Sequence, residues 1–152
     1  MNETEAHAET DAQTEAATLV GFREVPLSTG RTVKVRGYGF MEGLKVIQIA
    51  GPLMTALQAF FSATRAGEDI SLLELQKAFA VDPAAMVELL VLASDLDAAE
   101  IQSLGDADGE LLLWAWWTMN ADFFVRRLVE QASAQAAMRT ARAEALRDAS
   151  PG

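Results

Sequence analysis

Three stretches of this chain carry residue types that could do chemistry. Asp106-Ala107-Asp108-Gly109-Glu110 places carboxylates at alternate positions ahead of a glycine, the outline of a calcium loop. A complete loop also needs a first ligand where Leu104 stands and a bidentate glutamate where Ala115 stands, so a helix-capping loop explains the run better. Gly37-x-Gly39-x-x-x-Gly43 follows a strand-like run and opens a helix-like one, close to a dinucleotide-binding turn. Its spacing is off by one, and Phe60-Phe61 stand where an acid ending a second strand belongs. A strand-to-helix corner that needs permissive backbone accounts for it. Asp95, Asp97 and Glu100 cluster, and two of these fit helix capping. With no cysteine and one histidine, His7, thiol catalysis, disulfides, thiolate metal sites and the usual general base all fall away. No cofactor or metal is expected, and the chain reads as a non-enzyme.

Any such groups need elements to hold them. The 152 residues suit one domain, and 51% of them are hydrophobic with a mean hydropathy of +0.12. No apolar run approaches the roughly 18 residues of a membrane span, and the acidic N-terminus does not resemble a signal peptide, so a cytoplasmic location is expected. The net charge of −10 keeps so apolar a chain in solution and argues against binding nucleic acid.

The expected fold is mainly α: an N-terminal β-hairpin, then a small bundle of about five helices. Residues 1–17 have no Lys or Arg and nothing large to bury, which predicts a disordered acidic tail. A single globular domain over 18–132 follows, with the hairpin at 18–38 and the helices at 40–132. In the hairpin Ser28-Thr29-Gly30 is the turn, Val33 and Val35 face inward, and Pro26 marks an edge. Arg31, Lys34 and Arg36 either receive an acidic partner or, more simply, guard that edge. Met41 to Ala50 reads as a helix with Leu44, Ile47 and possibly Ile49 inward, and Gly51-Pro52 kinks or restarts it. Leu53, Leu57, Phe60 and Phe61 carry the apolar face on, and a loop follows at 67–69. Ser71-x-x-Glu74, Asp82-Pro83 and Asp97-x-x-Glu100 are helix starts. Gly105 to Gly109 reads as a break before a long helix beginning near Glu110. Residues 133–152 form an Ala-rich helical extension or a disordered tail.

That last helix holds all three tryptophans. Leu113, Trp117, Asn120, Phe124 and Leu128 make one stripe, with Leu112, Trp116, Met119 and Phe123 beside it. Trp117 and Phe124 are expected in the core. Two stripes exceed what one face needs, so Trp114, Trp116, Trp117, Asn120, Phe123, Phe124, Arg126 and Arg127 are candidate partner-binding residues, for another protein or a second copy.

The run Gly30-Arg31-Thr32-Val33-Lys34-Val35-Arg36 and the run Asn120-Ala121-Asp122-Phe123-Phe124-Val125-Arg126-Arg127 are similar to the tail assembly chaperones of Mu-like and related long-tailed bacteriophages and prophages. The resemblance spans roughly Leu19 to Gln131, and the tryptophan-rich Trp114 to Trp117 departs from the plainer aliphatic residues expected there. It implies a non-enzymatic factor that coats the tape-measure protein, keeps it soluble and recruits tail-tube protein. A structural tail or head-completion protein of the virion and a bacterial helical adaptor are the alternatives.

Overall fold

The structure is a computed structural model that describes residues 21–64, 69 and 71–149. The acidic tail at 1–17, the first residues expected in the hairpin and most of the 67–69 loop lie outside the described residues. The chain is mostly helical, with a two-stranded antiparallel hairpin followed by six helices among the described residues. These are β1 (Phe22–Pro26), β2 (Thr32–Arg36), α1 (Phe40–Ile49), α2 (Gly51–Ala63), α3 (Leu72–Phe79), α4 (Pro83–Ala93), α5 (Ala98–Gln102) and α6 (Asp106–Asp148). It falls into two compact units, one to Ala121 and one from Asp122.

In the first unit the hairpin register pairs Val25 with Val33 and Arg23 with Val35. The loop closes through Leu27 N–H to the Arg31 carbonyl at 2.8 Å and Gly30 N–H to the Leu27 carbonyl at 3.1 Å. Gly30 sits at φ +89°, where a side chain would be strained. Val25, Val33 and Val35 bury the inner face, and Thr32 and Lys34 face out.

The short helices begin where local chemistry sets them. Ser71 accepts from Glu74 N–H at 3.3 Å, Asp82 from Ala85 N–H at 3.2 Å with Pro83 behind it, and Asp97 from Glu100 N–H at 2.8 Å. Each side chain satisfies an amide that has no partner inside its own helix. Helix α4 buries Met86, Leu89, Leu90 and Ala93, the expected face. Helices α1 and α2 meet at an angle of 86°. Pro52 has no N–H to offer, and its ring would clash with the preceding turn, so the helix restarts at Gly51. Among the described residues no single helix is long and apolar enough to cross a membrane.

Two elements depart from expectation. Helix α1 turns inward through Gly43, Val46 and Ala50, and Leu44 and Ile47 remain exposed. The buried side is the i, i+3, i+7 series Gly43, Val46 and Ala50, of which Val46 and Ala50 are fully buried. Helix α6 starts at Asp106, not near Glu110, so the supposed break is its first turn. Gly109 N–H bonds the Gly105 carbonyl at 2.9 Å. A glycine in a helix costs only about 1 kcal/mol, and Asp106 and Asp108 in the first turn favour the helix dipole.

In the second unit the chain is helical from Asp122 to Asp148, so 133–148 is helix rather than tail. Phe124 and Leu128 are buried, whereas Val125, Val129, Met138 and Leu146 are exposed.

Candidate functional site

The tryptophan end of α6 is organised around Asn120. Its side-chain oxygen accepts Tyr38 N–H at 2.9 Å. Its amide nitrogen donates to the Arg36 carbonyl at 3.2 Å and to the Trp116 carbonyl at 3.1 Å. One buried side chain therefore fixes the strand-to-helix corner that follows β2. Gly37 lies in that corner, where a Cβ would stand 3.4 Å from the Met119 carbonyl oxygen, at the near edge of ordinary contact. The glycine pattern that resembled a nucleotide loop thus falls at the strand-to-helix corner between β2 and α1. Gly39 then caps α1, its N–H donating to Glu42 at 3.3 Å.

A second polar chain runs beside it. Trp116 Nε1 donates to the Tyr38 hydroxyl at 2.8 Å, and that hydroxyl donates to the Leu89 carbonyl at 2.6 Å. Burial pushes the Tyr38 phenol above its ordinary pKa, because the charged form would lose its hydration. Phe79 packs edge-on against Trp116 at 5.5 Å and lies 5.2 Å from Trp117 and 6.0 Å from Trp114. Among the described residues no buried side-chain nitrogen or oxygen lacks a partner.

These contacts place each candidate residue. Trp116 is fully buried, whereas Trp117, expected in the core, is half-buried. In the first unit α6 buries Asp108, Leu112, Trp116 and Asn120, one every four residues, with Ala115 beside them, and the two expected stripes divided that series between them. Trp116 and Asn120 are therefore interior groups. Trp114 is half-buried, and its indole N–H reaches Glu110 at 3.4 Å. In the second unit Phe124 is buried, and Phe123 meets it edge-on at 5.1 Å. Arg127 lies over the Phe123 ring at 3.7 Å, and Arg126 is exposed.

The carboxylates are similarly engaged. Asp108 accepts Ser28 N–H at 3.0 Å and the Ser28 hydroxyl at 2.7 Å, clamping the hairpin tip to the start of α6. These two bonds hold its carboxyl below the usual range. Asp95 accepts Lys34 N–H at 3.1 Å, Arg31 bridges Glu100, and Arg36 forms a two-pronged pair with Glu42. Arg31 and Arg36 thus meet acids of their own chain, whereas Lys34 meets Asp95 through its backbone amide and its ammonium lies 5.6 Å from the Phe22 ring. Arg36 draws the Glu42 carboxyl down. Among the described residues no group of three or more His, Asp or Glu could hold a metal ion.

A family model matches residues 17–151. The chain belongs to DUF6631, a family of unknown function. No curated protein and no solved structure matches it.

Sequence reasoning missed three features of this DUF6631 member. Tyr38 and Phe79 complete the tryptophan cluster, and nothing local to either residue signals that. The third is the outer face of α1, where Phe40 is 75%, Met41 67%, Leu44 43% and Ile47 46% exposed. The signal for it was the neighbouring stripe Gly43, Val46 and Ala50, which is the one buried.

Proposed function

We propose that this chain is a non-enzymatic tail assembly chaperone of a long-tailed phage or prophage, which binds the tape-measure protein in the bacterial cytoplasm and supports tail-tube assembly. The observation that supports it is the apolar ridge of α1, where Phe40, Met41, Leu44 and Ile47 stand in solvent on one helix. Exposed apolar side chains at helical spacing suit the apolar face of another helix. A tape-measure protein is a long helical chain that offers such faces repeatedly. The net charge of −10 would keep a complex of two sticky chains in solution. The client surface is accordingly assigned to the α1 ridge, since Trp116 and Asn120 are occupied inside the first unit.

The test is co-expression with the tape-measure protein, read as soluble, co-purifying client. Phe40→Ser with Leu44→Ser should return the client to the pellet while leaving the chaperone folded, because both side chains are exposed. A client that stays insoluble beside the unaltered protein sinks the reading, as does recovery of this chain in purified virions, where a structural tail protein belongs.

A further inference from the structure

The two edges of the hairpin are not alike. On β2, Lys34 N–H is taken by Asp95 and Val35 bridges Ser94, so that edge is covered. At the two ends of β1, Gly21 accepts from Gly37 N–H and Leu27 N–H donates to Arg31, just beyond the ends of β2. Alternation then turns the N–H and C=O groups of Phe22 and Glu24 away from β2, where no described residue meets them. Pro26 has no N–H and closes the stretch.

Along this open edge runs a groove of about 310 Å³. Arg23, Val25 and Pro26 line it from β1, and Leu111, Trp114 and Thr118 line it from α6. Glu24 lines it as well. Consecutive strand residues point to alternate faces, so all four can line one groove only if it follows the edge. Its far wall is the half-buried Trp114 and the exposed Leu111. Arg23 is exposed and makes no ion pair among the described residues, in a chain otherwise rich in acids.

We infer that the β1 edge and the α6 wall form a docking groove for a short extended segment of a partner protein, added as a third strand. The open amides and carbonyls of Phe22 and Glu24 specify an extended backbone. Leu111 and Trp114 specify an apolar side chain, and Arg23, on the same face of β1 as Val25, specifies an acidic one next to it, while Glu24 stands on the other face across from Lys34. Pro26 limits the pairing to a few residues. This groove is separate from the α1 ridge and does not depend on the chaperone reading.

The experiment is selection of random peptides displayed on phage against the full-length protein, with selected peptides then titrated by fluorescence polarisation. Enriched peptides should place an acid beside an apolar residue and shift the amide signals of Phe22 and Glu24 in NMR spectra. Glu24→Pro removes one open amide at an edge position that tolerates proline and should weaken binding about tenfold or more, with the thermal midpoint unchanged. Arg23→Glu should switch the selected acid to Lys or Arg. Failure to enrich any peptide, or binding unaffected by both substitutions, overturns the groove.

Discussion

Replacing Asn120 by Leu keeps the branched shape of the side chain, adds some bulk and removes its three hydrogen bonds. The Trp116 carbonyl loses little, because it stays within the helix ladder. The Tyr38 N–H and the Arg36 carbonyl are left facing an apolar group. Each stranded backbone group costs about 1–3 kcal/mol. Two of them come to about 4 kcal/mol, and burying leucine in place of an amide returns about 1 kcal/mol of that. The expected loss is about 3 kcal/mol, or a fall of about 10 °C in Tm for a chain of this size. Urea unfolding followed by circular dichroism and by tryptophan emission should report it with one midpoint. Thr118→Ala, on the exposed side of the same turn, should stay within about 0.5 kcal/mol. A loss below about 1 kcal/mol for Asn120→Leu would mean that water or a backbone shift satisfies the corner, and the assignment of Asn120 as its anchor would fail.

Tyr38 is the only tyrosine, so its ionisation can be followed without ambiguity by ultraviolet absorbance. Its folded pKa is raised, so its contribution to stability is full below the unfolded value of about 10 and fades as pH rises above it. Tyrosinate should therefore appear together with unfolding, and a separate earlier step would show the phenol open to solvent. Asp108 behaves in the opposite sense, its folded pKa being lowered by Ser28. The stability it confers is present above the unfolded value of about 3.9 and is lost as pH falls through the folded one. Asp108→Asn should thus be less stable than the unaltered chain at neutral pH, with the gap closing in acid; a gap independent of pH would refute the clamp.

What could be read in advance depended on how far each signal reaches. Ser71, Asp82 and Asp97 cap amides three residues away, so three helix starts stood in the sequence itself. The hairpin was legible for the same reason, through its turn and the alternation of Val33 and Val35. Gly109 misled because breaking a helix and tolerating a place inside one differ by about 1 kcal/mol, which the neighbouring aspartates decide. The inward face of α1 was hidden because apolar residues stand on two adjacent stripes, Leu44 with Ile47 and Val46 with Ala50, and only tertiary packing chooses the second. Asn120 looked like a polar marker on an apolar stripe. Its partners at Tyr38 and Arg36 lie 82 and 84 positions earlier, beyond the reach of any local pattern.

That separation has a consequence for synthesis. Contacts so distant in sequence close slowly, and a ribosome delivers about 5–20 residues each second. The corner after β2 therefore waits several seconds, fully made, for the asparagine that will hold it. Through that interval Phe79 and the Tyr38 hydroxyl lack the Trp116 ring that meets them. Here the nascent chain is itself a sticky client, and a stop anywhere before Asn120 would leave well-started helices with nothing to close upon.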